Sequence, residues 1–321
     1  MDLVGIEDVE AAAHRIAGLV VRTPLLSARW AREGSPLELK PESLQPTGAF
    51  KLRGASNAVA RLDAEARARG VVTHSSGNHA QALAWAARAV GVRASIVMPE
   101  GASPTKIEAT RALGAEVVLV PAAERESAAD QIAARRGAVV VSPYDHRDVI
   151  AGQGTVGLEI VADRPDADTV LVPASGGGLV AGVAVALKAR RPQARVIAVE
   201  PELAGDLAES MQRGERVRWS EEQTSRTIAD GLRVTQAGAL PWEHIRVLVD
   251  EVMTVSEEEI RAAMRLLAHG SRLVVEPSGA VAVAAYLSCT PARRLGRTVA
   301  VVSGGNVEPA LLREVLGADL R

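Results

Sequence analysis

The sequence predicts an α/β fold with helices covering a parallel sheet, and three observations lead to it. Short, nearly continuous Val/Ile/Leu runs recur along the chain, as parallel strands buried on both faces require. Alanine-rich segments of helical spacing separate them and stop at glycine. Three of the apolar runs end in small polar or Gly-rich turns, where the ligand sites of open α/β sheets lie.

The elements follow in chain order. "GVVTHSS" (70–76), "ASIVMPE" (94–100), "AEVVLVP" (115–121) and "AVVVSPY" (138–144) read as strands. So do "TVLVPAS" (169–175), "RVIAVEP" (195–201), "RVLVDEVMTV" (246–255) and "TVAVVSGG" (298–305). "NHAQALAWAARAVG" and "SPTKIEATRALG" read as helices ending at Gly91 and Gly114, where a left-handed cap belongs. No Pro/Ser/Gly-rich linker divides the chain and no short-period repeat is visible, so a second domain has to be an insertion within the first.

Composition narrows the function. The 321 residues are 47% hydrophobic with a net charge of −2, and the basic residues are spread along the chain. No nucleic-acid partner and no anionic membrane surface is expected. The N-terminus "MDLVGIEDVEAAAHRIAG" carries early acids and no apolar signal core, and no apolar run is long enough to span a bilayer. A cytoplasmic location is expected. The single Cys289 excludes an internal disulfide and a cysteine-built zinc cluster, and reads as a small buried residue at a helix end.

Only four of the 37 basic residues are lysine: Lys40, Lys51, Lys106 and Lys188. So strong an arginine bias suggests that lysine is kept where a guanidinium cannot do its work. Lys51 directly follows Phe50, the only phenylalanine. A solvated surface amine is the ordinary reading of any lysine. The alternative is a Schiff base, which lysine can form and arginine cannot.

"SGGGLVAG" (175–182) follows a strand and opens a helix. It reads either as a tight turn or as a cradle whose backbone N–H groups converge on an anion at a helix N-terminus. Gly176, Gly178 and Gly182 do not space as a dinucleotide fingerprint, and no P-loop Lys-Ser/Thr follows, so as an anion cradle the loop reads as a site for a monophosphate. A monophosphate site and a singular lysine together suggest pyridoxal phosphate.

The motifs "KPESLQPTGAFKLRGASNA" (40–58), "SSGNHAQALA" (75–84), "MPEGASPTKIEATRALGAEV" (98–117) and "SPYDHRDVIAGQGTVGLEI" (142–160) continue the pattern. "PASGGGLVAG" (173–182), "VEP" (199–201), "IADGL" (228–232), "EPSGA" (276–280) and "SGGNV" (303–307) complete it. In order and spacing the chain resembles the fold-type II pyridoxal-phosphate enzymes of the serine/threonine dehydratase and serine racemase family. The resemblance implies a tryptophan synthase beta-like fold, two open parallel-sheet domains with the cofactor between them. Residues 1–62 and 148–321 would form a discontinuous large domain, interrupted by a small mobile domain at 63–147. A homodimer acting on a small-molecule amino acid is expected.

The resemblance also implies roles. Lys51 would carry the cofactor and act as base at Cα, and Phe50 would pack on the pyridine ring. Asn78 would bind the ring oxygen, Ser303 would meet the ring nitrogen, and Ser175, Gly176, Gly177, Gly178 and Leu179 would hold the phosphate. Ser75, Ser76, Gly77, Asn78 and His79 would grip the substrate carboxylate, with Ser76 placed to serve the second face in a racemase. Many relatives have Gly where Ser175 stands and Ser where Ala49 stands, neither of which touches cofactor binding. In "EPELAGD", Glu200, the Ala204 carbonyl and Asp206 match the family's Mg²⁺ or Ca²⁺ ligands, against the alternative of an acidic solvated loop. His14, His146, His244 and His269 show no metal spacing. Glu276 either faces the cofactor or serves a helix N-terminus.

The activity implied is an ammonia-lyase converting L-threonine, L-serine or a related β-hydroxy amino acid to a 2-oxo acid and ammonia. A neutral Ser303 hydroxyl at the ring nitrogen favours elimination over transamination. Serine racemase, 3-hydroxyaspartate dehydratase and the dehydratase of hydroxyectoine breakdown are the alternatives within the family. A nucleotide-binding oxidoreductase or a non-catalytic ligand-binding protein is the alternative outside it. The chain stops at Arg321, soon after "SGGNV", so a catabolic enzyme without a regulatory amino-acid-binding domain is expected.

Overall fold

The computed structural model describes residues 3–290 and 295–317. Residues 1–2, 291–294 and 318–321, which include the ends of the expected large domain, lie outside the described residues. The strands are β1 (Leu26–Ser27), β2 (Leu37–Pro41), β3 (Val71–His74), β4 (Ala94–Pro99), β5 (Glu116–Val120) and β6 (Val139–Val140). They continue with β7 (Thr169–Pro173), β8 (Arg195–Pro201), β9 (Glu251–Val255) and β10 (Thr298–Val302).

These strands form two sheets. A six-stranded sheet runs β1-β2-β10-β7-β8-β9, and a four-stranded sheet runs β5-β4-β3-β6. Every pairing is parallel except β1 with β2. The fold is α/β, as predicted. Val170, Leu171 and Val172 of β7 and Val299 to Val302 of β10 are all buried, because helices cover both faces of the larger sheet. Gly91 and Gly114 follow the helices Asn78–Ala89 and Pro104–Ala112 with φ of +69° and +87°, the left-handed geometry expected of them.

Two departures have physical reasons. The run 246–255 is not one strand: Arg246 to Leu248 close the helix Ala239–Leu248, and only Glu251–Val255 is extended. Trp242 and Ile245 are buried three residues apart on one face of that helix, so helical spacing overrides the β-branched content. Strands β1 and β2 were not legible, because β2 carries Glu38 and Lys40 in its middle. Lys40 is fully buried, and its charge is met by Glu159 at 2.6 Å.

Three helices meet with almost no side chain between them. Arg147–Asp163 packs on Lys51–Ala60 and on Gly178–Arg190. A Cβ added at Gly152 would lie 2.6 Å from the Gly54 Cα, and one added at Gly182 would lie 2.5 Å from the Gly154 nitrogen. Arg53 ties the first two of these helices to the end of β2. Its buried guanidinium makes paired hydrogen bonds to Glu42 at 2.7 and 2.8 Å and to Glu159 at 2.7 and 2.8 Å. Among the described residues, no helix is long and apolar enough to cross a membrane.

Gly182→Ala is expected to lower stability by about 2 kcal/mol, because the new methyl overlaps fixed backbone and outweighs the gain of Ala over Gly in a helix. Gly317→Ala, where nothing lies within 4 Å, is expected to leave the urea midpoint in place. Equal midpoints for the two variants would refute the contact.

Candidate active site

Parallel pairing brings the carboxyl ends of the strands to a common side, and the expected residues gather there. β3 leads through Ser75, Ser76 and Gly77 into the helix Asn78–Ala89, and β7 leads through Ser175, Gly176 and Gly177 into Gly178–Arg190. β10 leads into Ser303, whose carbonyl accepts from the Phe50 N–H at 3.0 Å and so ties the start of the Lys51 helix to the sheet. These segments line a cleft of about 760 Å³. Phe50, Lys51, Ser75 to His79, Ser175 to Leu179 and Ser303 all face it. Glu200, Ala204 and Asp206 do not.

Lys51 donates to the Pro143 carbonyl at 2.6 Å, and its ammonium sits 5.1 Å from the centre of the Phe50 ring. That ring is a cation–π partner for the amine. Burial, with no carboxylate against it, lowers the Lys51 pKa to about 8. The other three lysines each face an acid: Lys40 meets Glu159, Lys106 meets Asp230 and Lys188 meets Asp250. Lys51 is therefore the lysine whose neutral amine is most accessible near neutral pH.

The glycine turn that lines the same cleft suits an anion. Gly177 has φ of +92°, a conformation L side chains rarely adopt, and it turns the chain into the helix beginning at Gly178. The first N–H groups of that helix have no partner within it. Ser175 Oγ is buried and accepts from the Val234 N–H at 3.2 Å, so the hydroxyl braces the loop. A desolvated amine and a phosphate cradle in one cleft fit pyridoxal phosphate.

Several neighbours were less visible in the sequence. His79 is buried, and its Nε2 lies 3.0 Å from the Val141 carbonyl. A carbonyl only accepts, so Nε2 carries the proton; burial first, and the Lys51 charge second, hold the ring neutral with a pKa of about 3. Glu276 precedes the helix Pro277–Ser288 but makes no side-chain cap there; its Oε1 accepts from Asn78 Nδ2 at 2.6 Å. The cleft-facing reading is therefore the observed one. Burial pushes the Glu276 carboxyl up to about 7, with the Asp230 charge adding to the rise and the Asn78 hydrogen bond opposing it. Two ion pairs join the four-stranded side of the cleft to loops of the other side: Lys106 with Asp230 at 2.7 Å and Arg125 with Glu221 at 3.7 Å. Only the "IADGL" motif hinted at the first of them.

Among the described residues, no three His, Cys, Asp or Glu side chains cluster as a metal site. Glu200 and Asp206 supply two carboxylates, both buried rather than in a solvated loop. Glu200 Oε2 and Asp206 Oδ2 have no hydrogen-bond partner. Burial, and then the Asp206 charge, push Glu200 well above its usual range, and burial pushes Asp206 up to about 7. Two orphaned buried carboxylate oxygens with no cation against them fit a hard divalent ion.

Residues 16–304 match the pyridoxal-phosphate dependent enzyme family, and the chain belongs to it. It is 42% identical to L-threonine ammonia-lyase of Thermotoga maritima, over 99% of this chain and 79% of that protein. It is 41% identical to a serine racemase of Oryza sativa, over 97% of this chain and 93% of that protein. The solved structure of maize serine racemase superposes with a TM-score of 0.93 at 40% identity, covering 99% of this chain and 98% of that one. The protein is thus a pyridoxal-phosphate-dependent enzyme related to threonine dehydratases and serine racemases, not a nucleotide-binding oxidoreductase.

The Lys51 environment predicts a pH-dependent penalty in the cofactor-free protein. The folded pKa of about 8 lies below the ordinary lysine value of 10.5, so the unfolded chain binds more protons between those values. The penalty is full below pH 8 and fades as pH rises towards 10.5. Lys51→Met should stabilise the cofactor-free protein at pH 7 by on the order of 2 kcal/mol. In thermal melts this gain should shrink as pH rises through that window, and a pH-independent difference would refute the assignment.

Proposed function

We propose that the protein is an ammonia-lyase that converts L-serine, L-threonine or a related β-hydroxy amino acid to a 2-oxo acid and ammonia. One observation carries the reading: the amine without a carboxylate partner, Lys51, shares a cleft with a glycine cradle suited to a monophosphate. The proposed arrangement has Lys51 holding the cofactor, the backbone N–H groups of Ser175 to Leu179 binding its phosphate, and Phe50 lying along its ring. Asn78 takes the ring oxygen and Ser303 faces the ring nitrogen.

When bound, the cofactor supplies the electron withdrawal that acidifies the substrate Cα. Lys51, freed by the incoming substrate amine, takes the Cα proton on its own face. Ser75, Ser76, Gly77, Asn78 and His79 orient the substrate carboxylate. Ser303 would present a neutral hydroxyl, which unlike a carboxylate does not enforce a proton on the ring nitrogen; to donate to that nitrogen it would turn its O–H away from the Ser278 carbonyl, now 3.3 Å away. The β-hydroxyl would leave as water, taking back the proton that Lys51 removed, while the Cα electron pair forms the Cα–Cβ double bond. The released enamine tautomerises and hydrolyses in water.

Residues 63–147, which contain the four-stranded sheet, are proposed as a small mobile domain inserted between 1–62 and 148–321. A homodimer is proposed as the working form. Glu200, the Ala204 carbonyl and Asp206 are proposed to hold Mg²⁺ or Ca²⁺ in a structural role. Serine racemase activity is the second reading, favoured by Ser76 lining the same cleft as Lys51.

The purified protein should be yellow and should release 2-oxo acid from a panel of hydroxyamino acids. Lys51→Ala should abolish both colour and turnover. A borohydride-fixed adduct at Lys40, Lys106 or Lys188 in the native protein would overturn the reading.

Ser76→Ala separates the two activities. It should abolish D-serine formation and D-serine dehydration while sparing a substantial part of L-directed dehydration, by chiral analysis of product and residual substrate. Equal loss of both would mean that Ser76 holds the substrate and transfers no proton.

Mg²⁺ or Ca²⁺ should raise Tm with concentration, because an ion bound only by the native state stabilises it. Glu200→Ala with Asp206→Ala should remove the response, and an unchanged response would exclude the site.

A further inference from the structure

The orientation of Asn78 is settled by a chain of contacts that begins at a backbone carbonyl. The Thr47 carbonyl can only accept, so the amide nitrogen of Asn306 faces it, at 2.8 Å. The same nitrogen lies 2.8 Å from Asn78, which must therefore present Oδ1 to it. Asn78 Nδ2 is then turned to Glu276 Oε1, at 2.6 Å. Both Asn306 hydrogens are used, and one of the two on Asn78. The second Asn78 N–H is the one polar hydrogen this chain leaves for a ligand, so Asn78 can serve an acceptor.

Two glycines are shaped to this chain. A Cβ on Gly304 would collide with Glu276 Oε1, and a Cβ on Gly48 would collide with Asn306 Oδ1. Gly48 also has φ of +72°. Glu276 is only 4% exposed, and the Asn306 backbone N–H bonds to its carboxyl as well. The charged groups facing it are Asp230 and Lys106, which pair with each other at 2.7 Å.

We propose that Glu276 is the positioning residue for the cofactor ring, acting through Asn78, and that its charge is felt at the ring oxygen one hydrogen bond further on. This rests on the reading above that Asn78 holds that oxygen. Glu276 and the ring oxygen then accept from the two hydrogens of one amide nitrogen. Two anions on one donor disfavour each other's ionisation. The carboxyl, brought by burial to about 7, would titrate in step with the ring oxygen.

The test is a pH titration of the holoenzyme's visible absorption, together with the dissociation constant of pyridoxal phosphate. Glu276→Gln keeps an acceptor for Asn78 and removes the charge. It should abolish the near-neutral spectral step of the wild type while changing the dissociation constant less than about threefold. Glu276→Ala removes the acceptor too, leaving Asn78 partly unpaired, and should weaken cofactor binding about tenfold. A Glu276→Gln titration superimposable on the wild type overturns the electrostatic coupling, and wild-type affinity in Glu276→Ala overturns the positioning. Should Glu276→Ala not fold, Glu276→Gln alone decides. A wild-type protein with no visible band and no adduct at Lys51 would sink the underlying cofactor assignment; a normal band with unresponsive Glu276 variants sinks this proposal alone.

Discussion

Where the helices Lys51–Ala60 and Gly178–Arg190 meet Arg147–Asp163, backbone rests on backbone. Lys51 opens the first of these helices and the glycine turn opens the second. The spacing between amine and cradle is therefore set by helix contacts at Gly54, Gly152, Gly154 and Gly182. At Gly152 and Gly182 the nearest atoms are all backbone, so no rotamer change can adjust those two contacts. Arg53 adds a charge lock to the same assembly. Its guanidinium is 0% exposed and needs both Glu42 and Glu159, which come from the end of β2 and from Arg147–Asp163. Removing either acid would leave a buried charge unpaired, a change that costs about 3–5 kcal/mol.

This rigid frame holds an electrostatically unfinished centre. Lys51 is desolvated against a carbonyl and an aromatic ring, and His79 beside it is kept neutral. The helix N-terminus at Gly178 adds further positive potential. Without an anion these features oppose one another. An anionic ligand that neutralises Lys51 or occupies the cradle relieves that conflict, so folding stability and ligand affinity are linked.

What the sequence revealed depended on whether a signal was local. Strands β3, β4, β7, β8 and β10 were visible because their apolar runs are continuous and buried, and β5, β6 and β9 showed through β-branched content although they are only partly buried. β2 was hidden because Lys40 is neutralised by Glu159, 119 residues away. Lys51 was legible from arginine bias and its neighbour Phe50, and the cradle from three successive glycines. The bond between Asn78 and Asn306 spans 228 residues, and no local pattern announces it. Glu276 was visible as an acid before a helix, but its turn towards Asn78 depends on the vacant Cβ position at Gly304, a three-dimensional fact.

The glycine contacts also bear on how such a protein can diverge. A frame whose spacing is set by bare backbone has little room to drift, since almost any substitution there inserts atoms into occupied space. The opposite wall is different: Ser76, Lys106 and Arg125 approach the cleft through side chains on turns and helices of the four-stranded side. Change can accumulate there one residue at a time without disturbing the amine or the cradle. An ammonia-lyase at 42% identity and a racemase at 41% stand at nearly equal distance from this chain. That equality is natural if the catalytic frame is inherited whole and new reactions evolve on the wall facing it.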